Sequence, residues 1–321
     1  MGSLAMYQSG EQMIMENLLN EKLSVISITR NTIHNGPGYR VLILFKGCPL
    51  RCKWCSTPES QENREILSCN PRRCIGCGNC ARACPEGAVS FTESGPVIDR
   101  ETCTNCMDCT KVCHSKTLTP VGKKMTVREI IREVEKCRDF MEMSGGGVTL
   151  SGGEFTYEEF GAKMTLVQEL HKRGISIGVD TCGYAYSQRY RLLAPYVDFY
   201  LWDIKQMDPE KHQELTGKDN AKIFRNLMLV NEQNIDLYFR CPLIPGMTDD
   251  DANIHGMCAL AQKMHHLKSI DLLPIHHLGK ARYDMIGMPY PIEEDLKLDS
   301  QRLEDIEKIV KSYGLPVRII G

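Results

Sequence analysis

The sequence lacks the features that would indicate a membrane, a secretion route or a strongly charged partner. Its 321 residues carry 39 Lys and Arg against 41 Asp and Glu, a net charge of −2, so neither nucleic acid nor a membrane surface is expected as a partner. No apolar run approaches the roughly 18 residues that span a bilayer. The opening MGSLAMYQSGEQ has no basic start followed by an apolar stretch. We therefore expect no secretion signal and a cytoplasmic protein.

Cysteine is the residue present in excess. The chain has sixteen cysteines, and eleven of them fall in short-spaced groups. Neighbouring thiols in such groups are too close in sequence to pair conveniently as disulfides, and the chain is large for a disulfide-stabilised scaffold. Clustered cysteines in a cytoplasmic protein favour metal binding.

Apolar periodicity predicts alternating strands and helices along most of the chain. A parallel sheet with right-handed crossovers follows, because each strand has a helix later in the chain. We expect an α/β fold, first as a partial (β/α)6 barrel and second as a doubly wound open sheet. The predicted strands are 39–45, 147–150, 175–179, 197–204, 235–239 and 269–275, and the helices are 126–141, 157–170, 186–194, 221–233, 251–266 and 299–313.

The interval between the first strand and its helix is roughly 80 residues, too long for a connecting loop. We therefore predict a small inserted domain at 66–116. The barrel would then consist of 21–65 and 117–321, and residues 1–20 would be a disordered leader or a cloning remnant.

A cysteine motif is repeated inside this insert. The spacing C-x2-C-x2-C-x3-C occurs at 74–84 and again at 103–113. Bacterial ferredoxins use this run for two 4Fe–4S clusters, and the fourth cysteine of each run ligates the other cluster. We therefore expect a ferredoxin-like α+β insert, with two zinc knuckles as the alternative. The crossing rule assigns Cys74, Cys77, Cys80 and Cys113 to one cluster, and Cys84, Cys103, Cys106 and Cys109 to the other.

Three further cysteines stand alone just after the first predicted strand. Cys48, Cys52 and Cys55 would leave one iron of a 4Fe–4S cluster without a protein ligand, just as an open position marks a catalytic zinc site. A zinc loop completed by a remote His or Cys is the alternative. The C-x3-C-x2-C spacing, with the aromatic Trp54 before the last cysteine, resembles the signature of the radical S-adenosylmethionine (radical SAM) enzymes.

The carboxyl ends of the later strands carry polar residues. Chemistry in barrel folds lies at this rim, so we expect a polar site that faces the open cluster. The stretch 145–154 could suggest a phosphate cradle, but it lacks the Gly-Lys-Ser/Thr ending of a P-loop. The rim residues are Gly152, Gly153, Glu154, Asp180, Thr181, Asp203, Lys205, Arg240 and His276.

From about residue 24 onward the chain resembles the activating enzymes of glycyl radical enzymes, relatives of the one that activates pyruvate formate-lyase. The insert resembles that of the longer members of this family. Asn35, Thr57 and Phe155 depart from the family's usual Asp, Asn and Pro. The matching pieces are HNGPGYR (34–40), FKGCPLRCKWCSTPESQ (45–61), SGGE (151–154), DTCG (180–183), DIKQMD (203–208), PLIPG (242–246) and LLPIHHLGK (272–280).

The resemblance implies three 4Fe–4S clusters, S-adenosylmethionine and a monovalent cation. It also implies that one electron cleaves S-adenosylmethionine to a 5′-deoxyadenosyl radical, which takes a hydrogen atom from a backbone glycine of a partner glycyl radical enzyme. A flavodoxin or ferredoxin would supply electrons, with the insert's clusters as relay or as structure, in an anaerobic organism.

The resemblance also assigns roles to individual residues. The segment 152–154 would receive the methionyl amino group, and Asp180 and Thr181 would hold the cation against the S-adenosylmethionine carboxylate. Trp54 would lie beside the adenine. Cys48, Cys52, Cys55, Lys205 and His276 would be catalytic, and Asp203, Lys205, Arg240 and His276 would line the nucleoside and methionine sites.

Two other functions stay open at this point. One is a radical SAM enzyme that acts on another peptide or on a small molecule, and the other is a non-catalytic electron carrier. Release of 5′-deoxyadenosine separates the enzymes from the carrier, and a glycyl radical on a partner separates the two enzymes. The remaining thiols, Cys137, Cys182, Cys241 and Cys258, lack metal-site spacing and are expected to be packing or site-adjacent residues.

Overall fold

The computed structural model describes residues 16–93 and 95–320. Of the predicted leader, residues 1–15 lie outside the described residues, and 16–20 are helical. The strands are β1 Lys22–Thr32, β2 Arg40–Phe45, β3 Ile66–Cys69, β4 Val89–Thr92, β5 Gly95–Ile98, β6 Leu118–Val121, β7 Lys123–Thr126, β8 Gly147–Gly152, β9 Ser176–Thr181, β10 Phe199–Asp203, β11 Asp236–Leu243, β12 Leu267–Pro274 and β13 Val317–Ile319.

The six predicted helices form, the first divided in two at residues 136–137, and among the described residues beyond residue 20 four further α-helices occur at 79–82, 108–111, 209–216 and 280–286. Thr126 caps the helix Val127–Glu135, because its hydroxyl accepts from the Glu129 amide (3.1 Å) and its own amide donates to the Glu129 carboxylate (2.8 Å). Within the described residues, no helix is both long and apolar enough to cross a membrane. The helices are α1 Asn79–Arg82, α2 Asp108–Lys111, α3 Val127–Glu135, α4 Arg138–Ser144, α5 Phe160–Lys172, α6 Ser187–Leu193, α7 Pro209–Thr216, α8 Ala221–Asn231, α9 Asp251–Ala261, α10 Lys280–Ile286 and α11 Ser300–Ser312.

The largest sheet among the described residues has nine strands in the order β13-β12-β11-β10-β9-β8-β2-β1-β7. All six predicted strands form, as β2 and β8 to β12, and they pair in parallel in chain order. The sequence did not predict β1, β7 or β13. The strand β7 reads KKMT, too short and too polar for periodicity to detect.

The strand order from β2 to β13 never reverses. Right-handed crossovers in such a sheet carry successive helices to the same face, whereas a doubly wound sheet needs a reversal point. Val148, Val179 and Trp202 are buried in the core that the helices share with the sheet. The fold is thus mixed α/β with a large parallel sheet, consistent with a barrel-like curl around the opposite face.

The segment between β2 and α3 builds its own small structure. β3 pairs with β6 and β4 pairs with β5, both antiparallel, and the short helices α1 and α2 lie between them in the chain. A second buried cluster, separate from the main core, contains Leu67, Val89 and Leu118 together with cysteines. The pairing of Cys69 with Leu118 closes this segment at β6, beyond the boundary expected at residue 116.

Candidate active site

The loop that carries Cys48, Cys52 and Cys55 follows β2 directly and is fastened to the end of α7. The Arg51 amide donates to the Thr216 carbonyl (2.7 Å), and the Lys53 amide donates to the Leu215 carbonyl (3.0 Å). These are carbonyls of a helix C-terminus, which have no partner within the helix. The loop therefore satisfies the helix end, and the helix end holds the loop at the carboxyl edge of the sheet.

The three thiols of this loop interact with one another and with an ion pair from the end of β10. The Lys205 ammonium lies 2.8 Å from the Asp203 carboxylate. Burial alone would lower the pKa of Lys205, but Asp203 and Cys52 outweigh it and raise that pKa well above its usual value. Burial raises the pKa of Cys52 to about 12, against the opposing effect of Lys205. A permanent positive charge thus stands beside thiols that a metal would have to deprotonate.

A fourth cysteine lies at this site, which its spacing in the sequence did not reveal. The Cys182 thiol hydrogen-bonds the Cys48 thiol, and this bond is the largest cause of the lowered pKa of Cys48. The Cys182 amide donates to the Glu154 carboxylate (2.7 Å). The sequence left Cys182 as either a packing residue or a thiol adjacent to the site, and the structure supports the second role.

The glycine pair of the SGGE segment presses β8 against the cysteine loop. A Cβ added at Gly152, where φ is +114°, would lie 2.2 Å from the Phe45 amide nitrogen, and one at Gly153 would lie 2.3 Å from the Gly47 carbonyl. The Glu154 amide donates to that same Gly47 carbonyl (2.8 Å). Only glycine allows this backbone contact, so the pair positions the loop that begins with Cys48.

The Glu154 carboxylate is completely buried and fully occupied by protein donors. It accepts from the Thr156 amide (2.9 Å) and hydroxyl (2.6 Å), the Thr181 hydroxyl (2.8 Å) and the Cys182 amide. The Thr181 hydroxyl also meets the Tyr190 hydroxyl at 2.9 Å. The side chains of Glu154 and Thr181 are thus both engaged in hydrogen bonds within the protein. Any contact of Glu154 or Thr181 with a ligand is therefore left to the main chain.

The opposite face of the sheet carries the charged rim residues. Asp180 accepts from the Ser151 hydroxyl (2.8 Å), and its carboxylate lies 3.5 Å from the Arg240 guanidinium. Burial raises the pKa of Asp180 to about 6, although Arg240 opposes this shift. The Nε of Arg240 is buried and has no hydrogen-bond partner. An unsatisfied buried donor of this kind suits an anionic group of a ligand.

The two histidines after β12 have different surroundings. His277 is fixed, because its Nδ1 lies 2.9 Å from the Tyr290 hydroxyl and its Nε2 lies 2.7 Å from the Leu296 carbonyl. His276 is exposed, and no hydrogen bond to its ring is found in the described part of the chain. His276 is therefore the one available to a ligand. Trp54 is half-buried within the cysteine loop.

The eight cysteines of the insert surround two cavities. Within residues 16–93 and 95–320, no three His, Cys, Asp or Glu side chains are arranged to hold a single metal ion. Each cavity is small, with a volume of about 10 Å³. One is lined by Cys84, Cys103, Cys106 and Cys109, and the other by Cys74, Cys77, Cys80 and Cys113. Each set takes three cysteines from one run and the fourth from the other run.

The two runs also share an unusual backbone. Gly76 and Gly78 adopt positive φ (+70° and +71°), and Asn105 and Met107 do the same at the matching positions (+57° and +67°). This conformation costs a residue with a Cβ about 1–2 kcal/mol. The strain at Met107 marks this loop as a candidate functional segment. Main-chain amides also approach sulfur, as at Cys84, whose Sγ lies 3.3 Å from the Ala88 nitrogen.

An open cleft of about 660 Å³ begins at Cys48. Its wall includes Tyr184, Tyr186 and Lys222, and the Lys222 ammonium lies 4.4 Å from the centre of the Tyr184 ring. The sequence offered no motif for this cleft, because its walls come from the loops after β2, β8, β9 and β10. Their proximity exists only after folding.

The fold and the strand-end site define an α/β protein with cysteines at the carboxyl edge of a parallel sheet. Residues 42–256 match the family model of the Radical SAM superfamily, and the chain belongs to that superfamily. The complex of SuiB from Streptococcus suis with its precursor peptide SuiA shares the fold, with a TM-score of 0.54 and 13% identity over 85% of this chain and 46% of that one.

Curated relatives narrow the assignment. The chain is 36% identical to the choline trimethylamine-lyase activating enzyme of Oleidesulfovibrio alaskensis, over 94% of this chain and 99% of the relative. It is 38% identical to the isethionate sulfite-lyase activating enzyme of Desulfovibrio desulfuricans, over 84% of this chain and 88% of the relative. The chain is therefore a member of the activating enzymes of glycyl radical enzymes, as its motifs predicted.

Proposed function

We propose that this protein cleaves S-adenosylmethionine at an open 4Fe–4S cluster held by Cys48, Cys52 and Cys55, and thereby activates a partner glycyl radical enzyme. The observation that carries the proposal is the meeting of these three thiols with the Asp203–Lys205 ion pair at the carboxyl edge of the sheet. When bound, the cluster supplies the electron that breaks S-adenosylmethionine, and the 5′-deoxyadenosyl radical then takes hydrogen from a glycine of the partner.

The residues around the trio have separate tasks in this proposal. Arg240, with its unsatisfied Nε, binds the methionine carboxylate, and Asp180 beside it holds a monovalent cation. Lys205 keeps a fixed positive charge next to the thiolates. His276 and Trp54 bind the nucleoside. The 152–154 backbone receives the amino group through carbonyls, since the Glu154 side chain is occupied.

We also propose the finer architecture that the sequence suggested. The parallel sheet curls into a partial (β/α)6 barrel, and 66–116 is the core of a ferredoxin-like insert. Its two cavities suit one 4Fe–4S cluster each, for the donors are thiols, the loops are strained and amide groups approach the sulfurs. The metal content is then about 12 irons per chain in three clusters. A flavodoxin or ferredoxin supplies the electrons in an anaerobic cytoplasm.

The partner's glycine loop would enter the cleft that begins at Cys48. Relatives are named as activators of choline trimethylamine-lyase, trans-4-hydroxy-L-proline dehydratase and isethionate sulfite-lyase, so we expect a partner of the lyase or dehydratase class. Tyr184, Tyr186 and Lys222 offer aromatic faces and one cation to a peptide backbone.

The decisive experiment uses anaerobically reconstituted protein with dithionite and S-adenosylmethionine. We expect 5′-deoxyadenosine and about 12 irons per chain. Cys52→Ala should lose about four irons and all cleavage, whereas the matched variant Cys182→Ala should keep the full iron content and cleave. Loss of cleavage without loss of insert iron in Cys52→Ala supports the open cluster. About 8 irons in wild-type protein, with no cleavage, would contradict it.

A second measurement separates the activating function from other radical SAM reactions. The reduced protein is mixed with a candidate glycyl radical enzyme, and the partner is examined by electron paramagnetic resonance. A glycine-centred doublet on the partner, absent when its glycine is replaced by alanine, is the expected result. Cleavage without any doublet on lyase or dehydratase partners would favour a peptide or small molecule as substrate.

A further inference from the structure

Helix α10 connects the cysteine loop of the open site to the insert. At its start, a Cβ added at Gly279 would lie 3.0 Å from the Ser56 Cα, one residue after Cys55. Arg282 forms an ion pair with the buried Glu59. Tyr283 is only 2% exposed and is close enough to Cys55 for that thiol to affect its ionisation. This end of α10 is thus packed against the loop of the trio.

The other end of α10 is held by Arg100 of the insert. The Arg100 guanidinium donates to the Met285 carbonyl (3.2 Å) and to the Leu67 carbonyl (2.6 Å). A Cβ added at Gly287 would lie 2.7 Å from the Arg100 Nε, so only glycine leaves room for this side chain. One side chain therefore joins strand β3 of the insert to the end of α10.

Arg100 also stands directly behind one of the two cysteine cavities. Leu67, whose carbonyl it binds, lines the cavity of Cys84, Cys103, Cys106 and Cys109. The Cys103 amide donates to the carbonyl of Asp99, the residue before Arg100 (2.9 Å). Burial lowers the pKa of Arg100, and the nearby thiols of Cys103, Cys69 and Cys109 oppose this shift. The cation is thus held at the wall of this cavity by contacts on two sides.

The second cavity opens at the protein surface. Its lining includes Ile75 and Phe91, which are 68% and 40% exposed, and Cys77 is exposed as well. An exposed cluster position of this kind can meet an electron donor from solution. The cavity beside Arg100 likewise has an exposed cysteine, Cys106. The two cavities therefore differ in their contact with Arg100, through Leu67, and not in their access from solution.

We propose, on the basis of the function above, that Arg100 sets the reduction potential of the cluster that the Cys84 cavity would hold. A fixed cation in a low-dielectric seam favours the reduced, more negative form of such a cluster and so raises its potential.

The test is an anaerobic redox titration of the complete three-cluster protein, followed by electron paramagnetic resonance. S-Adenosylmethionine identifies the open cluster, because its signal alone should change on addition. In Arg100→Gln we expect the reduction potential of one of the two other clusters to become more negative. Arg100→Lys keeps the charge and should restore most of that potential. Lys308→Gln, which removes one positive charge at an exposed side chain of α11, should leave all three potentials in place.

Several outcomes would overturn the proposal. One is that Arg100→Gln keeps its full iron content and all three reduction potentials. Another is that only the reduction potential of the cluster that responds to S-adenosylmethionine changes. If Arg100→Gln loses iron, Arg100→His is titrated at several pH values, and its potential should fall as the pH rises through about 6.5, unlike that of wild type. A potential in this variant equal to that of wild type at every pH also refutes the proposal. Because the readout is a potential, failure of S-adenosylmethionine cleavage is recorded separately.

Discussion

Asp180 and Thr181 are neighbours in the chain, yet their side chains lie on opposite faces of the sheet because successive residues of a strand alternate. Asp180 meets Ser151 and Arg240 on the rim face. Thr181 meets Glu154 and Tyr190 on the face that the helices cover. The resemblance assigned both residues to a cation site. Under the proposed function that task falls to Asp180 and to the Thr181 main chain, because the Thr181 hydroxyl is engaged by Glu154 and Tyr190.

Substitution of these two neighbours should therefore have different consequences. Thr181→Val leaves the buried Glu154 carboxylate short of a donor and should cost about 1–3 kcal/mol of stability, visible as a lower Tm, while folded protein still cleaves S-adenosylmethionine. Asp180→Asn should keep the Tm but weaken S-adenosylmethionine binding and remove its dependence on potassium. Unchanged affinity in Asp180→Asn would refute the cation role.

The pH dependence of S-adenosylmethionine binding supplies an independent check on Asp180. Burial raises the pKa of Asp180 to about 6, so the carboxylate takes up a proton as the pH falls through that value. Affinity of the wild type should therefore decline below about pH 6. Equilibrium binding measured between pH 5.5 and 8 should give a flat profile for Asp180→Asn, and an equal decline in both proteins would exclude Asp180 as the cause.

Lys163 on α5 illustrates a residue whose effect is on stability. It is completely buried, its Nζ has no hydrogen-bond partner, and the ammonium lies 5.3 Å and 5.5 Å from the ring centres of Phe45 and Phe155. Phe155 is one of the departures from the family pattern. Burial lowers the pKa of Lys163 to about 8. The aromatic faces stabilise a cation that burial penalises.

Lys163→Met should accordingly be more stable than wild type at pH 7.5. The unfolded lysine keeps its proton up to about pH 10.4, whereas the folded one releases it near 8, so stability of the wild type rises with pH in this window, by up to about 3 kcal/mol. The Tm of Lys163→Met should exceed that of wild type by less at pH 9.5 than at pH 7.5. Lys172→Met, at a 72% exposed side chain of the same helix, should show no such trend.

At the scale of elements, helix α7 matters because its last carbonyls hold the cysteine loop. The helix begins at Asp208, whose carboxylate accepts from the Lys211 amide (2.8 Å), and ends at Gly217, where φ is +81°. An added Cβ at Gly217 has room, since Arg51 is 3.7 Å away. Alanine there would thus add only the backbone strain of about 1–2 kcal/mol.

Gly217→Ala should loosen the anchor and speed the loss of iron from the open site. Gly314→Ala is the matched control, because Gly314 also has a positive φ (+70°) and open space, but ends α11. The Tm of both variants should fall by a similar amount. Only Gly217→Ala should release the S-adenosylmethionine-responsive cluster faster to a chelator, and equal release rates would argue against this role of α7.

At the scale of the whole molecule, two unequal cores are joined in one chain. The main core spans the sheet and its helices, whereas the core of the insert contains Leu67, Val89, Leu118 and cysteines. So small a core cannot offset the entropy of folding without cross-links or metal. Under the proposed function, the insert should therefore depend on the two clusters assigned to it for structure, and the barrel-like part should not.

Anaerobic removal of iron should unfold the insert alone. Hydrogen exchange followed by mass spectrometry should show protection lost in 66–121 and kept in β8 to β12, with most of the far-UV dichroism unchanged. Exchange at α10 should rise as well, since Arg100 ties its end to β3. Protection retained throughout 66–121 in iron-free protein would contradict the two-core description.

Local sequence alone specified a large part of this protein. Six parallel strands, the helices between them and the grouping of cysteines follow from periodicity and spacing, which are short-range properties of the chain. The edge strand β7 was not predicted, because a segment of four residues is too short to show a hydrophobic period. The rim residues could be named because carboxyl ends of parallel strands must share one edge of a sheet.

Tertiary structure decided what each of those residues does. The crosswise pairing of the two cysteine runs was already expected from their spacing, but tertiary structure turned Glu154 and Thr181 into a buried network. It also placed Cys182 against Cys48, and Arg100 between the insert and α10. Such contacts join residues that are up to 185 positions apart, and they depend on strand facing and on which surfaces pack together. No local pattern encodes those relations, because they arise only when distant segments fold against one another.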